Sequence, residues 1–297
     1  MLMVLIPTWN GRKWIGRCLE SVLGCDYEGF GVEVIDNAST DGTVELVERT
    51  FPGVSVLRME RNVGFAAAVN VGIHRALEAK ADGVVLLNQD TWAEPDWLTE
   101  LVGGADAHGL DVASPMQYRY EGDRLESEFA RLLVWHGYDV GYLEGPVLET
   151  KWVIGAAMFI RSEVIRTVGS FDENYFFYAE ELDFCRRAMT AVFRIGVVTT
   201  SRVRHHEKSP EQSAGPFRTY HRLLGDYLYR LKSPSRPLWW LVGGWVRDFV
   251  KDFWEGVCRR RGRFLVELLR VQVSVLWKLP AIARRRRQEH ECPHTLW

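Results

Sequence analysis

The chain lacks any apolar run approaching the roughly 18 residues that a membrane-spanning helix needs, so no spanning helix is expected. Its apolar start, Met1–Pro7, is too short for a secretory signal and runs straight into a turn. Synthesis and retention in the cytoplasm are the expectation. Cysteine is sparse: five residues (Cys18, Cys25, Cys185, Cys258, Cys292), odd in number and without CxxC spacing, which read as reduced thiols and exclude a disulfide frame. No GxGxxG occurs, which disfavours a dinucleotide-type Rossmann site. Internal repeats, low-complexity tracts and recognised nucleic-acid-binding modules are also missing, so nucleic acid is not an expected partner.

What is present is an ordinary globular composition, 47% hydrophobic and 26% charged over 297 residues, long enough for a large α/β domain with an appendage. Twelve Trp is high for this length. The formal net charge of -2 conceals an asymmetry: residues 231–297 carry 14 Lys+Arg against 6 Asp+Glu, leaving 23 basic and 33 acidic groups to the rest. An acidic body with a basic, Trp-rich tail predicts an anionic partner for the tail.

Strand and helix alternate over the first 115 residues. Apolar runs at Leu2–Pro7, Val32–Ile35, Val54–Met59 and Val84–Leu87 predict strands, and helical spacing appears over Arg12–Leu23, Thr43–Arg49 and Phe65–Ala79. This predicts an α/β, doubly wound, mostly parallel sheet with ligand groups at the strand C-termini. Residues Ser114–Thr150 read as a loop or flap. Trp152–Arg161 reads as a strand broken by small residues, where Gly155 permits close approach of a ligand or backbone. A helix is predicted from Glu180 to Thr190, a strand at Phe193–Val198, a helix at Phe217–Leu231 and helical structure over Leu238–Ile282. The expected division is a catalytic domain over 1–230 and a helical extension over 231–297.

Several groups carry chemistry. The buried run Val84–Leu87 ends in Asn88-Gln89-Asp90, which delivers a carboxylate to the sheet edge; Asp90 there can hold a divalent cation, or it can simply begin a helix. Asp36 ends another strand before Asn37-Ala38-Ser39-Thr40-Asp41-Gly42 and can accept from a base N–H, with Ser39 near ribose or phosphate; the same stretch also suits a capped helix start. Asn62, Gly64, Phe65 and Ala66 open a helix with small residues, which admits a nucleotide or sugar, or close sheet packing. Glu180, Glu181 and Asp183 fall in one turn beside aromatic residues, where like charge and burial raise a carboxyl toward general-base range. His205, the first of a His pair, can be a second ligand to a metal on Asp90. In the tail, Trp239, Trp240, Trp245, Trp254 and Trp277 alternate with basic residues and end in Arg284–Arg287. This fits a helix on an anionic membrane surface, the alternatives being a homodimer-forming pair or a lid.

Taken in order, PTWNGRKWIGRCLES, VIDNASTDGT, RNVGFAAAVNVGI, VVLLNQDTWAEPDWL, VIGAAMFIR, FFYAEELDFCRRA and the following HH resemble glycosyltransferase family 2, and within it the bacterial rhamnosyltransferase-like branch. The resemblance covers roughly residues 2–230. It implies the GT-A fold and inverting transfer of a sugar from a nucleoside diphosphate donor, dTDP-rhamnose being favoured, with Mg²⁺ or Mn²⁺. By the same resemblance, Thr8 and Asn10 line the nucleotide pocket and Asp36 holds the base. Asn62 and Gly64–Ala66 contact nucleoside and donor, and Asp90 and His205 bind metal. Asn88 stands where many members have a first aspartate, with Gln89 between. Glu181, where the family usually has Asp, is the implied base, ahead of Asp183 and Glu180. The implied acceptor is a glycan or polyprenyl-diphosphate-linked glycan at the inner face of the cell membrane, with the enzyme attached peripherally. The alternatives are a nucleotidyltransferase, which should carry a basic Gly-rich loop where this chain has Thr8-Trp9-Asn10-Gly11, and a non-catalytic membrane-associated partner of other transferases.

Overall fold

Five consecutive residues, Gly83–Leu87, are buried on both faces, and the rest of the sheet is built outward from them. The computed structural model describes residues 1–206, 215–234 and 236–291. Cys292 lies outside them, and of the Arg284–Arg287 run only Arg284 and Arg286 have described side chains. In chain order the first elements are β1 (Leu2–Thr8), α1 (Ile15–Leu23), β2 (Phe30–Asp36), α2 (Thr43–Thr50), β3 (Ser55–Arg58), α3 (Phe65–Glu78) and β4 (Gly83–Leu87). Next come β5 (Thr91–Ala93), α4 (Trp97–His108), β6 (Val112–Arg119), α5 (Ser127–Trp135), β7 (Val147–Glu149), β8 (Ala157–Arg161), α6 (Ser162–Val168), α7 (Glu180–Thr190) and β9 (Ile195–His205). The helices described after it are α8 (Pro216–Leu231), α9 (Leu238–Cys258) and α10 (Gly262–Glu291).

The sheet runs in the order β3-β2-β1-β4-β8-β6-β9-β5, with β7 on β9. The first four strands are parallel, β8 runs antiparallel between β4 and β6, and β6 and β9 are again parallel. Successive side chains alternate across a strand. Leu5, Val84 and Leu86 therefore enter one core with α3 and α7, while Val4, Ile6, Val85 and Leu87 enter the other with α1 and α4. Parallel pairing sets the C-termini of β1, β2 and β4 along one edge: Thr8 stands opposite Asp36 and Leu5 opposite Leu86.

The predicted flap over 114–150 is instead occupied by most of β6, by α5 and by β7. Pro115 lies inside β6, and the register of the β6–β9 pair shifts just after it, which accommodates a residue that cannot donate to the ladder. The strand predicted over Trp152–Arg161 begins only at Ala157, and β9 continues to His205 rather than ending at Val198.

α8, α9 and α10 form a third core of Leu224, Leu228, Leu231, Leu268, Val271 and Val275, closed by Tyr175 and Ala179 from the segment before α7. The helical unit thus opens at Pro216, inside the span assigned to the catalytic domain from sequence. It is fastened by Lys232, 1% exposed, whose Nζ lies 2.7 Å from Asp172 Oδ2, and by Arg186 Nη1 donating to the Tyr229 carbonyl at 2.6 Å. Burial pushes Asp172 up, but the Lys232 charge and hydrogen bonds more than reverse this and hold it at about 2.

Candidate active site

The loops leaving β1, β2 and β4 meet through side chains. The Thr8 hydroxyl and the Trp9 amide both donate to Gln89 Oε1, the latter at 3.0 Å, and Gln89 Nε2 donates back to the Trp9 carbonyl at 3.3 Å. A Cβ on Gly11 would overlap the Gln89 carboxamide and the Thr8 hydroxyl, so a side chain there would displace Gln89 from this turn. Asn10, at φ 50°, donates its amide to Ser39 Oγ and accepts the Thr40 amide on Oδ1, each at 2.8 Å. Asp36 is buried and its carboxylate accepts the Ser39 amide at 3.1 Å, which folds the Asn37–Thr40 loop back over the strand end.

Asn37 joins this loop to the start of α3. Its Oδ1 accepts from the Val63 amide at 2.9 Å and its Nδ2 donates to the Gly64 carbonyl at 3.1 Å. Asn62 Oδ1 accepts the Gly64 amide at 3.0 Å. Gly64 has φ 91°, and a Cβ there would stand 2.5 Å from the Phe176 carbonyl, which accepts the Phe65 amide at 2.7 Å. The small residues through Ala66 thus let the segment before α7 lie across the α3 N-terminus.

Asp90 is buried, and His205 Nε2 lies 3.5 Å from its Oδ1 and 3.4 Å from Asn88 Nδ2. Antiparallel pairing of β5 with β9 sets Thr91 opposite His205, and the His206 amide donates to the Asp90 carbonyl at 3.0 Å. Among the described residues no three His, Cys, Asp or Glu side chains gather into a metal cluster. A carboxylate oxygen, an imidazole nitrogen and, with the Asn88 amide turned over, a carbonyl oxygen nevertheless converge. That donor set fits Mg²⁺ or Mn²⁺ when a diphosphate supplies the remaining oxygens.

Glu180 and Glu181 open α7 on the far side of the same edge. The Asn88 amide donates to the Ala156 carbonyl at 2.8 Å, and a Cβ on the neighbouring Gly155 would touch Glu181 Cβ at 3.7 Å. Gly155 therefore spaces the carboxylate from the Asn88–Asp90 turn. Burial pushes Glu181 up to about 7, with Glu128 of α5 adding to the shift and helix-end amides opposing it. Burial, then the Glu181 charge, raises Glu180 well above the usual carboxylate range. Glu180 Oε2 and Glu181 Oε2 are buried without a hydrogen-bond partner. Just before them, Tyr178 (φ 74°) and Ala179 (φ 68°) are both left-handed, an uncommon conformation for residues with a Cβ. Asp183 differs: it is 1% exposed and already paired with Arg186 at 2.6 Å and Arg187 at 3.0 Å, so its carboxylate is a structural counter-ion rather than a poised base.

The family model described as Glycosyl transferase family 2 matches residues 3–169. This chain belongs to glycosyltransferase family 2. Among curated relatives of this family-2 chain is the N-acetylglucosaminyl-diphospho-decaprenol L-rhamnosyltransferase of Mycobacterium tuberculosis, 26% identical over 277 residues, covering 82% of this chain and 90% of the relative. The galactofuranosyltransferase GlfT1 of Mycolicibacterium smegmatis is 25% identical over 272 residues, covering 82% and 89%. Among solved structures, the mannosyltransferase PcManGT from Pyrobaculum calidifontis in complex with GDP-Man and Mn²⁺ superposes with a TM-score of 0.63 at 17% identity, covering 94% of this chain and 87% of that one. S. aureus TarS 1-349 in complex with UDP-GlcNAc gives 0.60 at 19%, covering 96% and 87%. The fold is GT-A, and the chain is rhamnosyltransferase-like.

In this family-2 enzyme the residues singled out from sequence, Thr8, Asn10, Asp36, Ser39, Asn62, Gly64–Ala66, Asn88–Asp90, Gly155, Glu180, Glu181 and His205, fall along one sheet edge and the segments bounding it. Sequence reasoning missed Asn37, the link between two loops, although a polar residue directly after a strand-ending Asp was signal enough. It also missed Trp9, which is 50% exposed beside Gln89, and Trp14, whose ring lies 4.2 Å from that of His206 at a 31° tilt.

Proposed function

We propose that this glycosyltransferase moves a sugar, with inversion, from a nucleoside diphosphate donor to a hydroxyl of a glycan or polyprenyl-diphosphate-linked glycan at the inner face of the membrane. dTDP-rhamnose is the favoured donor, because the rhamnosyltransferase relative matches over nearly its whole length. The observation that carries the reading is the pairing of the Asp90–His205 site with Glu181, raised to about 7, across the Gly155–Ala156 spacer.

Asp36 and Asn10 receive the base and ribose, with the Trp9 ring as a stacking face, and Asn62 with Gly64–Ala66 borders the nucleoside and donor sugar. Asp90 and His205, with Asn88, would hold a divalent cation, which supplies charge stabilisation to the departing diphosphate. Glu181 accepts the proton of the acceptor hydroxyl as its oxygen bonds to the anomeric carbon. The bond from that carbon to the diphosphate oxygen breaks on the opposite face. One displacement inverts the centre, and no sugar–enzyme bond forms. Glu180, buried and unpaired, keeps its proton and confines the negative charge to Glu181.

The test is product analysis with dTDP-rhamnose, other nucleotide sugars and a polyprenyl-diphosphate-linked N-acetylglucosamine acceptor in Mg²⁺ or Mn²⁺. An inverted glycosidic product is expected. A retained configuration, or no transfer from any nucleotide sugar, rejects the proposal.

A further inference from the structure

We propose that the outer face of the α9–α10 hairpin docks the enzyme on an anionic lipid bilayer; for its purpose this rests on the membrane-held acceptor read above, while its evidence is separate. At about 100° per residue a helix separates two stripes cleanly, and both helices carry two. On α9, Leu241 and Trp245 turn inward, Trp245 Nε1 donating to Gln272 Oε1 of α10 at 2.6 Å. The opposite side of α9 presents Trp239, Val246, Val250, Trp254 and Val257 to water. On α10, Leu268, Val271, Val275 and Ile282 are buried, while Val266, Leu269, Val273, Leu276 and Trp277 are exposed. Three tryptophans lead the outer face: Trp239 is 75% exposed, Trp254 67% and Trp277 83%. Single exposed apolar residues are ordinary, but two stripes at helical spacing, each opposite the buried stripe of its own helix and on neighbouring helices, are more than scattered singles.

Charge decides what covers it. Of the ten exposed charged side chains described from 236 to 284, nine are Lys or Arg, and the tenth, Glu255, pairs with Arg259. The other acidic residues turn away from this face. Asp248 reaches Arg230 at 2.5 Å, Asp252 accepts the Tyr227 hydroxyl at 3.0 Å, and Glu267 is buried against Arg270. A second copy related by a two-fold axis would set this basic rim against itself. An anionic bilayer meets it with opposite charge and takes Trp rings at headgroup depth. The assignment also sorts the tryptophans that sequence had grouped: Trp245 is structural, and Trp240 lies under the Arg236 guanidinium at 4.9 Å.

The full chain is to be sedimented with phosphatidylcholine vesicles, with and without phosphatidylglycerol, at low and high salt. With about fivefold in partitioning per basic residue at the surface, binding should be at least about tenfold stronger with phosphatidylglycerol and should weaken in salt. The pair Trp254→Ser and Trp277→Ser, and separately the pair Arg259→Glu and Arg260→Glu, should each lower partitioning by about tenfold or more with unchanged Tm. No binding, equal binding to both vesicles, indifference to both variant pairs, or a dimer in vesicle-free solution that the Trp pair dissociates would overturn the proposal. Transfer to a lipid-free acceptor analogue should persist in both variant pairs. A wild-type chain that sediments as expected yet transfers no sugar would leave the docking face standing and reject the catalytic reading alone.

Discussion

His205 Nε2 stands 3.5 Å from Asp90 Oδ1, a pair closed by the antiparallel β5–β9 register that sets Thr91 opposite His205. If this pair holds the cation, Asp90→Ala should lower kcat/KM by about 100-fold or more, since the lost charge stabilisation amounts to several kcal/mol. His205→Ala should weaken metal dependence, raising the Mn²⁺ concentration for half-maximal activity. Titration of activity with Mn²⁺ distinguishes the two, and an unchanged titration in His205→Ala removes that residue from the site.

Glu181 works as a base only when it has lost its proton. With its folded value at about 7, kcat/KM should climb with pH and level off above that point. Glu181→Gln should abolish the climb and lower kcat by about 10²–10⁴-fold while leaving donor binding intact. A profile flat from pH 5 to 9 in the wild type would transfer the role to another group.

The same carboxyl makes a stability prediction of opposite sense. Its folded value of about 7 lies above the ordinary 4.5, so the folded chain holds the proton longer than the unfolded chain. Its contribution is fully present below pH 4.5 and is lost as pH rises through about 7, on the order of 3 kcal/mol in all. Glu181→Gln should therefore melt higher than wild type at pH 8 and near it at pH 4. Thermal unfolding at both values checks this.

Gly225 of α8 packs so closely on the α7 approach that a Cβ would sit 2.7 Å from the Tyr178 carbonyl and 3.3 Å from Ala179 Cβ. Alanine in a helix normally gains about 1 kcal/mol over glycine. Here the backbone must move, and Gly225→Ala should instead cost about 1–3 kcal/mol. It should also lower kcat more than donor affinity, because Tyr178 and Ala179 aim Glu180 and Glu181. Gly243→Ala, which meets nothing within 4 Å, is the stabilising control, to be compared by melting and steady-state kinetics.

The half of the sheet from β1 to β4 was legible because each apolar run there ends in a polar turn, and those turns supply the residues of the proposed site. The direction of β8 was not, since an apolar run carries no mark of whether its neighbours run with or against it. Residues 114–150 misled because Pro115 inside β6 and the short α5 break local pattern rules that the β6–β9 pairing overrides. The role of Asp183 was legible but unread: Arg186 and Arg187 stand three and four residues on, the spacing that pairs side chains on a helix.

The last described turns of α10 return to the body of the molecule. The Arg286 guanidinium reaches the carbonyls of Leu231, Ser233 and Arg236, closing the end of α8, while α8 itself braces the residues ahead of Glu180. A chain cut after Leu231 would therefore lose the Leu268, Val271 and Val275 side chains that cover Leu224, Leu228 and Leu231, and would leave α8 with a bare apolar flank.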